Sequence, residues 1–166
     1  MKITNKWLQE KGACVEGVKW FNLQKETDLF KLCKLACDKK DRQLLGWANW
    51  VIVRKMEYAH YVSYAVYAAE QVIDIYEKRY PDDKRPRKAI EAAKKCIENP
   101  SDENKKAAAT AAATAAAYDA AAAAAYAAAY AADAAYAYAA AAAAAMRIKI
   151  LEYGIRLLKE KGNDNG

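Results

Sequence analysis

AAATAAATAAAYDAAAAAAYAAAYAADAAYAYAAAAAAA, residues 107–145, decides the fold class of this 166-residue chain. Thirty of its 39 residues are alanine, and no glycine or proline follows until Gly154. Alanine loses no side-chain entropy in a helix and is the strongest helix former, so the tract predicts helix with little help from its neighbours. Ser101 is placed to cap its start, with Asp102 and Glu103 near the positive end of the helix dipole. Unbroken from Asp102 to Lys159, such a helix would be roughly 85 Å long at 1.5 Å per residue. That is too long for a compact domain of this size. The sequence therefore predicts either a break within the tract or a helix running past the bundle.

The tract is not read as a membrane span. It contains no Leu, Ile, Val or Phe, and Asp119 and Asp133 lie inside it. Each would cost about 3 kcal/mol near mid-membrane, more than near-neutral alanines offset. Met1 to Glu10 holds no apolar signal segment. A soluble, cytoplasmic chain is expected.

The exceptions to alanine are the informative positions. At 100° per residue, Asp119, Tyr126, Tyr130 and Asp133 fall within about 60° of one another and form a narrow stripe of acid, tyrosine, tyrosine and acid. Two readings compete. The tyrosines fill gaps between helices while the carboxylates pair with arginines of the bundle, Arg85 and Arg87 being the natural candidates. Alternatively the stripe lines a binding pocket. Asp119 and Asp133 lie about 21 Å apart along a straight axis, too far to act together on one substrate bond.

Outward from the tract, the rest also reads as helical. Six glycines and three prolines are too few for a sandwich or barrel. Residues 1–56 form a region rich in Trp and Cys. Trp7, Leu8, Cys14, Val18, Trp20 and Phe21 suggest two short helices there, with Gly12 and Gly17 allowing a turn or close approach. A third helix is capped by Thr27 and a fourth by Asp41, where Gly46 lets a neighbour pack close. Residues 57–166 form the second region. One helix runs from Tyr58 to Tyr80 with Tyr61, Ala65, Ala68, Val72, Ile75 and Tyr76 as its stripe, and Pro81 ends it. Arg85 is pushed toward extended backbone by Pro86, which opens a helix carrying Ala89, Ile90, Ala93 and Ile97. The fold class is all-α: a helical bundle around a long alanine-rich helix, with a short-helix N-terminal region.

The composition excludes several function classes. Cys14, Cys33, Cys37 and Cys96 are scattered and read as small buried hydrophobes in a reducing compartment; with the lone His60 they match no zinc spacing, so neither a metal nor a cofactor is expected. His60 reads as a packed helix residue. The net charge of +6 mixes both signs, unlike the clean basic stripe of a nucleic-acid face. No GxSxG, HExxH, P-loop or GxGxxG occurs, so an enzyme is not expected.

The block Asp83-Lys84-Arg85-Pro86-Arg87-Lys88-Ala89-Ile90-Glu91-Ala92, preceded by Ala69-Glu70-Gln71-Val72 and Tyr76-Glu77 and followed by the alanine tract, resembles the immunity-protein family of bacterial polymorphic-toxin systems, whose relatives are frequent in phage and prophage genomes. The likeness spans about Tyr61 to Tyr153. Residues Gly12 to Cys14, Gly17 to Phe21 and Trp47 to Trp50 are similar to a short helical unit of phage-associated proteins. The resemblance implies an all-helical fold and a part in conflict between bacteria, toxins and phages. Relatives tend to carry more His and Arg in the alanine tract than this chain does.

Three functions remain open. The first is a non-enzymatic immunity or counter-defence protein that neutralises a protein partner, a toxin or defence component, by occupying it. The second is a protein that sequesters a small nucleotide signal, and the third a homo-oligomerisation module. The candidate binding residues are Arg85, Arg87, Glu91, Asp119, Tyr126, Tyr130 and Asp133.

Overall fold

The computed structural model describes residues 1–115 and 138–163, without the side chains of residues 79, 111–115, 138–141 and 161–163. Among the described residues the protein is an all-α bundle of nine helices: α1 Asn5–Glu10, α2 Val15–Gln24, α3 Leu29–Lys39, α4 Arg42–Lys55, α5 Tyr58–Glu70, α6 Ile73–Arg79, α7 Arg85–Glu98, α8 Asp102–Ala115 and α9 Tyr138–Asn163. Whether the alanine tract is continuous is a question for residues 116–137, which lie outside the described residues, as do Asp119, Tyr126, Tyr130 and Asp133.

Helix α9 organises the core. Its Leu151 and Leu158 are buried with Leu8, Leu29, Cys33 and Ile52 of the first four helices. A second set, Ile150, Met146 and Tyr153, packs on Tyr64, Ala68 and Val72. Residues before and after position 56 therefore share a core across α9. Gly154 makes this possible: a Cβ there would lie 2.8 Å from a Tyr64 ring carbon and 3.0 Å from Ile52 Cγ2, so only hydrogen fits where α9 meets α4 and α5. Tyr64 is buried, and its hydroxyl donates to Asn49 Oδ1, which meets the hydrogen-bond need of a buried phenol. Tyr153 stacks on Tyr67 with centroids 4.1 Å apart.

Several local expectations are revised. Asp28, not Thr27, caps α3: its Oδ1 accepts the amides of Phe30 and Lys31. An antiparallel bridge between Lys2 and Asp28, in which the Thr27 carbonyl accepts from Ile3 N, holds Asp28 extended at the cap position. The predicted helix over Tyr58–Tyr80 is two helices turned at Gln71 and Val72. The turn buries Val72 and Ile73 and leaves Ile75 and Tyr76 facing solvent, so of the predicted stripe Val72 is core while Ile75 and Tyr76 are not. On α7 the buried residue is Cys96, while Ile97 is exposed.

Arg85 is the first residue of α7 rather than extended, because Asp83 Oδ1 accepts its amide. Cys14 is exposed and caps α2, its sulfur accepting from Gly17 N at 3.4 Å. Cys33 and Cys96 are buried, as expected, and burial pushes the Cys33 thiol up to about 12. Gly12 takes a left-handed φ of 73° in the turn between α1 and α2, and Gly17 lies under Trp47. Nothing approaches Gly46, against expectation. Asp41 and Ser101 cap α4 and α8 as predicted, accepting from Leu44 N and Asn104 N.

Candidate functional site

The short helix α6 and the start of α7 meet at a tight corner, and the corner gathers charge. Asp83 is its centre. Its Oδ1 accepts the Arg85 amide at 3.1 Å and Arg85 Nε at 2.8 Å; its Oδ2 accepts Arg85 Nη2 at 2.7 Å and the Tyr76 hydroxyl at 2.8 Å. Four donors on one carboxylate hold it well below the usual carboxylate range, Arg85 contributing most and Tyr76 next. The same bond raises the Tyr76 phenol, which stays a donor.

One turn along, Arg87 makes a two-toothed contact with Glu77, Nε to Oε1 and Nη2 to Oε2, both at 2.6 Å, and Nη2 also reaches Asp74 Oδ1 at 3.2 Å. This is the fork geometry that suits guanidinium to carboxylate, and it lowers Glu77 while raising Arg87. Lys94 adds an ion pair to Glu70 of α5 at 2.5 Å. Helix α7 is thus pinned to α5 and α6 along one side by two separate ion-pair contacts.

Beside these pairs the corner presents apolar surface. Ile75 is 55% exposed, Tyr76 36% and Tyr80 47%, and the two tyrosine rings lie 5.0 Å apart. Glu91 is exposed on α7, one turn beyond Arg87.

Of the sequence candidates, the corner brings together Arg85 and Arg87, with Glu91 nearby. The carboxylates they hold are Asp83, Glu77 and Asp74, which the sequence reading did not assign to them. The signal was present in Asp83-Lys84-Arg85: an Asp two residues before a helix-opening residue both turns the chain and reaches the next side chain. The Glu77 and Asp74 contacts span 10 and 13 residues and depend on the angle between α6 and α7, which no spacing encodes.

No group of three or more potential metal ligands occurs among the described residues. No described helix is long and apolar enough to cross a membrane. His60 is half-buried, with its Nδ1 unpaired among the described residues. An apolar cavity of about 40 Å³ beneath Trp20 and Trp47 has room for a water-sized guest, far below the several hundred Å³ of a nucleotide site.

A family model described as "Imm-5 like putative immunity protein" matches residues 52–165, about two thirds of the chain and all of the corner. No curated protein and no solved structure matches the chain significantly.

Proposed function

The chain belongs to the Imm-5 like family of immunity proteins, and on that premise we propose that it is a non-enzymatic protein that binds a toxin or defence component of a bacterial or phage conflict system and neutralises it by occupancy. The α6–α7 corner is the docking surface of this reading. The observation that carries it is the pairing of Asp83 with Arg85 and Tyr76, and of Glu77 with Arg87, directly beside exposed Ile75, Tyr76 and Tyr80. Tyr and Arg dominate protein-interface hot spots, and side chains already fixed by neighbours lose less entropy on binding.

Glu91 extends the surface along α7, and Asp119, Tyr126, Tyr130 and Asp133 are proposed as its continuation on the alanine tract. Residues 57–166 supply the neutralising surface in this scheme, and residues 1–56 brace α9 from the other side. A nucleotide-sequestering role would require Arg85 and Arg87 to release the carboxylates that fill their forks.

Growth rescue tests the reading. The full chain is co-expressed with candidate toxin domains, and any complex is quantified by calorimetry. The wild-type protein restores growth and forms a stoichiometric complex. Tyr76→Ala, Tyr80→Ala and Arg87→Ala each weaken the complex by about tenfold or more. Rescue that survives all three substitutions removes the corner from the interface. A toxin that stays active in the presence of the bound protein removes neutralisation by occupancy.

A further inference from the structure

The first 56 residues carry a charge surplus that the rest of the chain lacks. They hold 12 basic and 6 acidic residues, against 15 of each in residues 57–166, so the whole net charge of +6 resides there. Most of the 1–56 acids are engaged internally. Asp28 and Asp41 cap helices, Glu26 accepts two backbone amides and pairs with Lys31, and Glu10 and Asp38 pair with Lys6 and Lys34.

The cations gather where α1 and α4 end. Lys55 Nζ lies 4.1 Å from the centroid of Trp7, and Arg54 Cζ lies 3.9 Å from that of Trp50. The two indoles meet edge to face at 6.2 Å, so the four side chains form one continuous chain, with Lys11 capping α1 beside it. Among the described residues no carboxylate pairs with Lys11, Arg54 or Lys55. Burial lowers the Lys55 pKa, and Lys11 lowers it further, the behaviour of a cation lacking a counter-charge. Two helix C-termini offset about half a charge each, which leaves a surplus of about two.

We propose that the Lys11–Trp7–Trp50–Arg54–Lys55 cluster is a second docking surface, outside the α6–α7 corner, for an acidic polypeptide surface rich in Asp and Glu. Trp and Arg supply rigid contact area and the three cations supply the charge that such a partner complements. Each indole has one face covered by a cation of the protein itself, Lys55 over Trp7 and Arg54 over Trp50, which narrows the stacking platform that the bases of a single-stranded nucleic acid would use.

Because Trp7, Trp20, Trp47 and Trp50 all lie in this region, intrinsic fluorescence reports on it directly. The full chain is titrated with poly-L-glutamate and, separately, with a DNA duplex of equal charge. Saturable binding of polyglutamate is expected, weakening steeply with salt. Arg54→Gln with Lys55→Gln lowers the affinity by about tenfold, while Lys19→Gln with Lys39→Gln, an equal loss of charge elsewhere on the surface, changes it by less than about twofold. Far-UV circular dichroism checks that each variant folds, and Lys11→Gln alone serves should the Arg54/Lys55 pair not fold. Three results overturn the proposal: equal weakening by the two double variants, tighter binding of duplex DNA than of polyglutamate, or no saturable polyglutamate binding at low salt. None of them bears on the α6–α7 corner, which growth rescue tests independently.

Discussion

Helices α8 and α9 both draw on alanine-rich sequence, and they end in opposite situations. In α8, Ala107, Ala109 and Thr110 are exposed, and the helix packs chiefly along α7. In α9, Ala143, Ile150, Leu151 and Leu158 are buried, and the helix touches α3, α4 and α5. Alanine makes both of them helical. What makes one of them core is a handful of large side chains and a single glycine. Methyl groups alone remove too little surface from water to fix a helix in place, at about 0.8 kcal/mol per buried CH₂-sized group against 1.5–3 kcal/mol for a whole Leu or Ile.

The strongest way to break the contrast is to make α9 resemble α8. Leu151 is 1% exposed, and Leu151→Ala should cost about 2–5 kcal/mol in urea unfolding, the range for a large core residue leaving a cavity. A cost below about 1 kcal/mol would mean that α9 does not organise the core.

Next come the helical glycines, for which opposite signs are expected. Gly154→Ala gains about 1 kcal/mol of helix propensity but forces a methyl to 2.8 Å from buried Tyr64, at an overpacking cost of about 1–3 kcal/mol. The net should be a loss of up to about 2 kcal/mol. Gly46 on α4 has nothing within 4 Å, so Gly46→Ala should stabilise by about 1 kcal/mol. Thermal melts of the two variants, run side by side, check both signs.

The smallest effect concerns what holds the α7–α8 pair to the bundle. Arg87→Gln removes an ion pair at the surface and should move the global melting temperature less than Leu151→Ala or Gly154→Ala. Its signature is pH. Glu77, normally near 4.5, is held below that value by Arg87. A carboxylate lowered in the folded state binds fewer protons there than when unfolded. It therefore stabilises above its ordinary value, and that stability is lost as pH falls through the lowered one. The difference in melting temperature between wild type and Arg87→Gln should accordingly be present at neutral pH and vanish in acid below the depressed carboxylate range. Hydrogen exchange should show α8 amides opening more readily than those of α9, and more so in Arg87→Gln.

Much of the fold was legible from the chain itself. Asp41 and Ser101 as caps and Pro86 in a first turn follow from rules acting over a few residues, and these survive in the structure. The errors have one origin. Thr27 lost its cap to Asp28 because Lys2, far away in sequence, bridges to it. The Tyr58–Tyr80 helix turns at Val72 because burial of Val72 and Ile73 outweighs continued helical hydrogen bonding. The candidate site was half legible: Arg85 and Arg87 stood out, but their carboxylates belong to a corner whose angle is set by packing.

The sequence by itself determined that this protein is helical, since propensity, caps and breakers act within a turn or two of the backbone. Only the tertiary structure decided which alanine-rich helix is core, which acids the arginines hold, and that tryptophans meet cations at the ends of α1 and α4. Those outcomes depend on close packing and charge pairing between residues far apart in sequence, at distances of a few ångströms that no local pattern specifies.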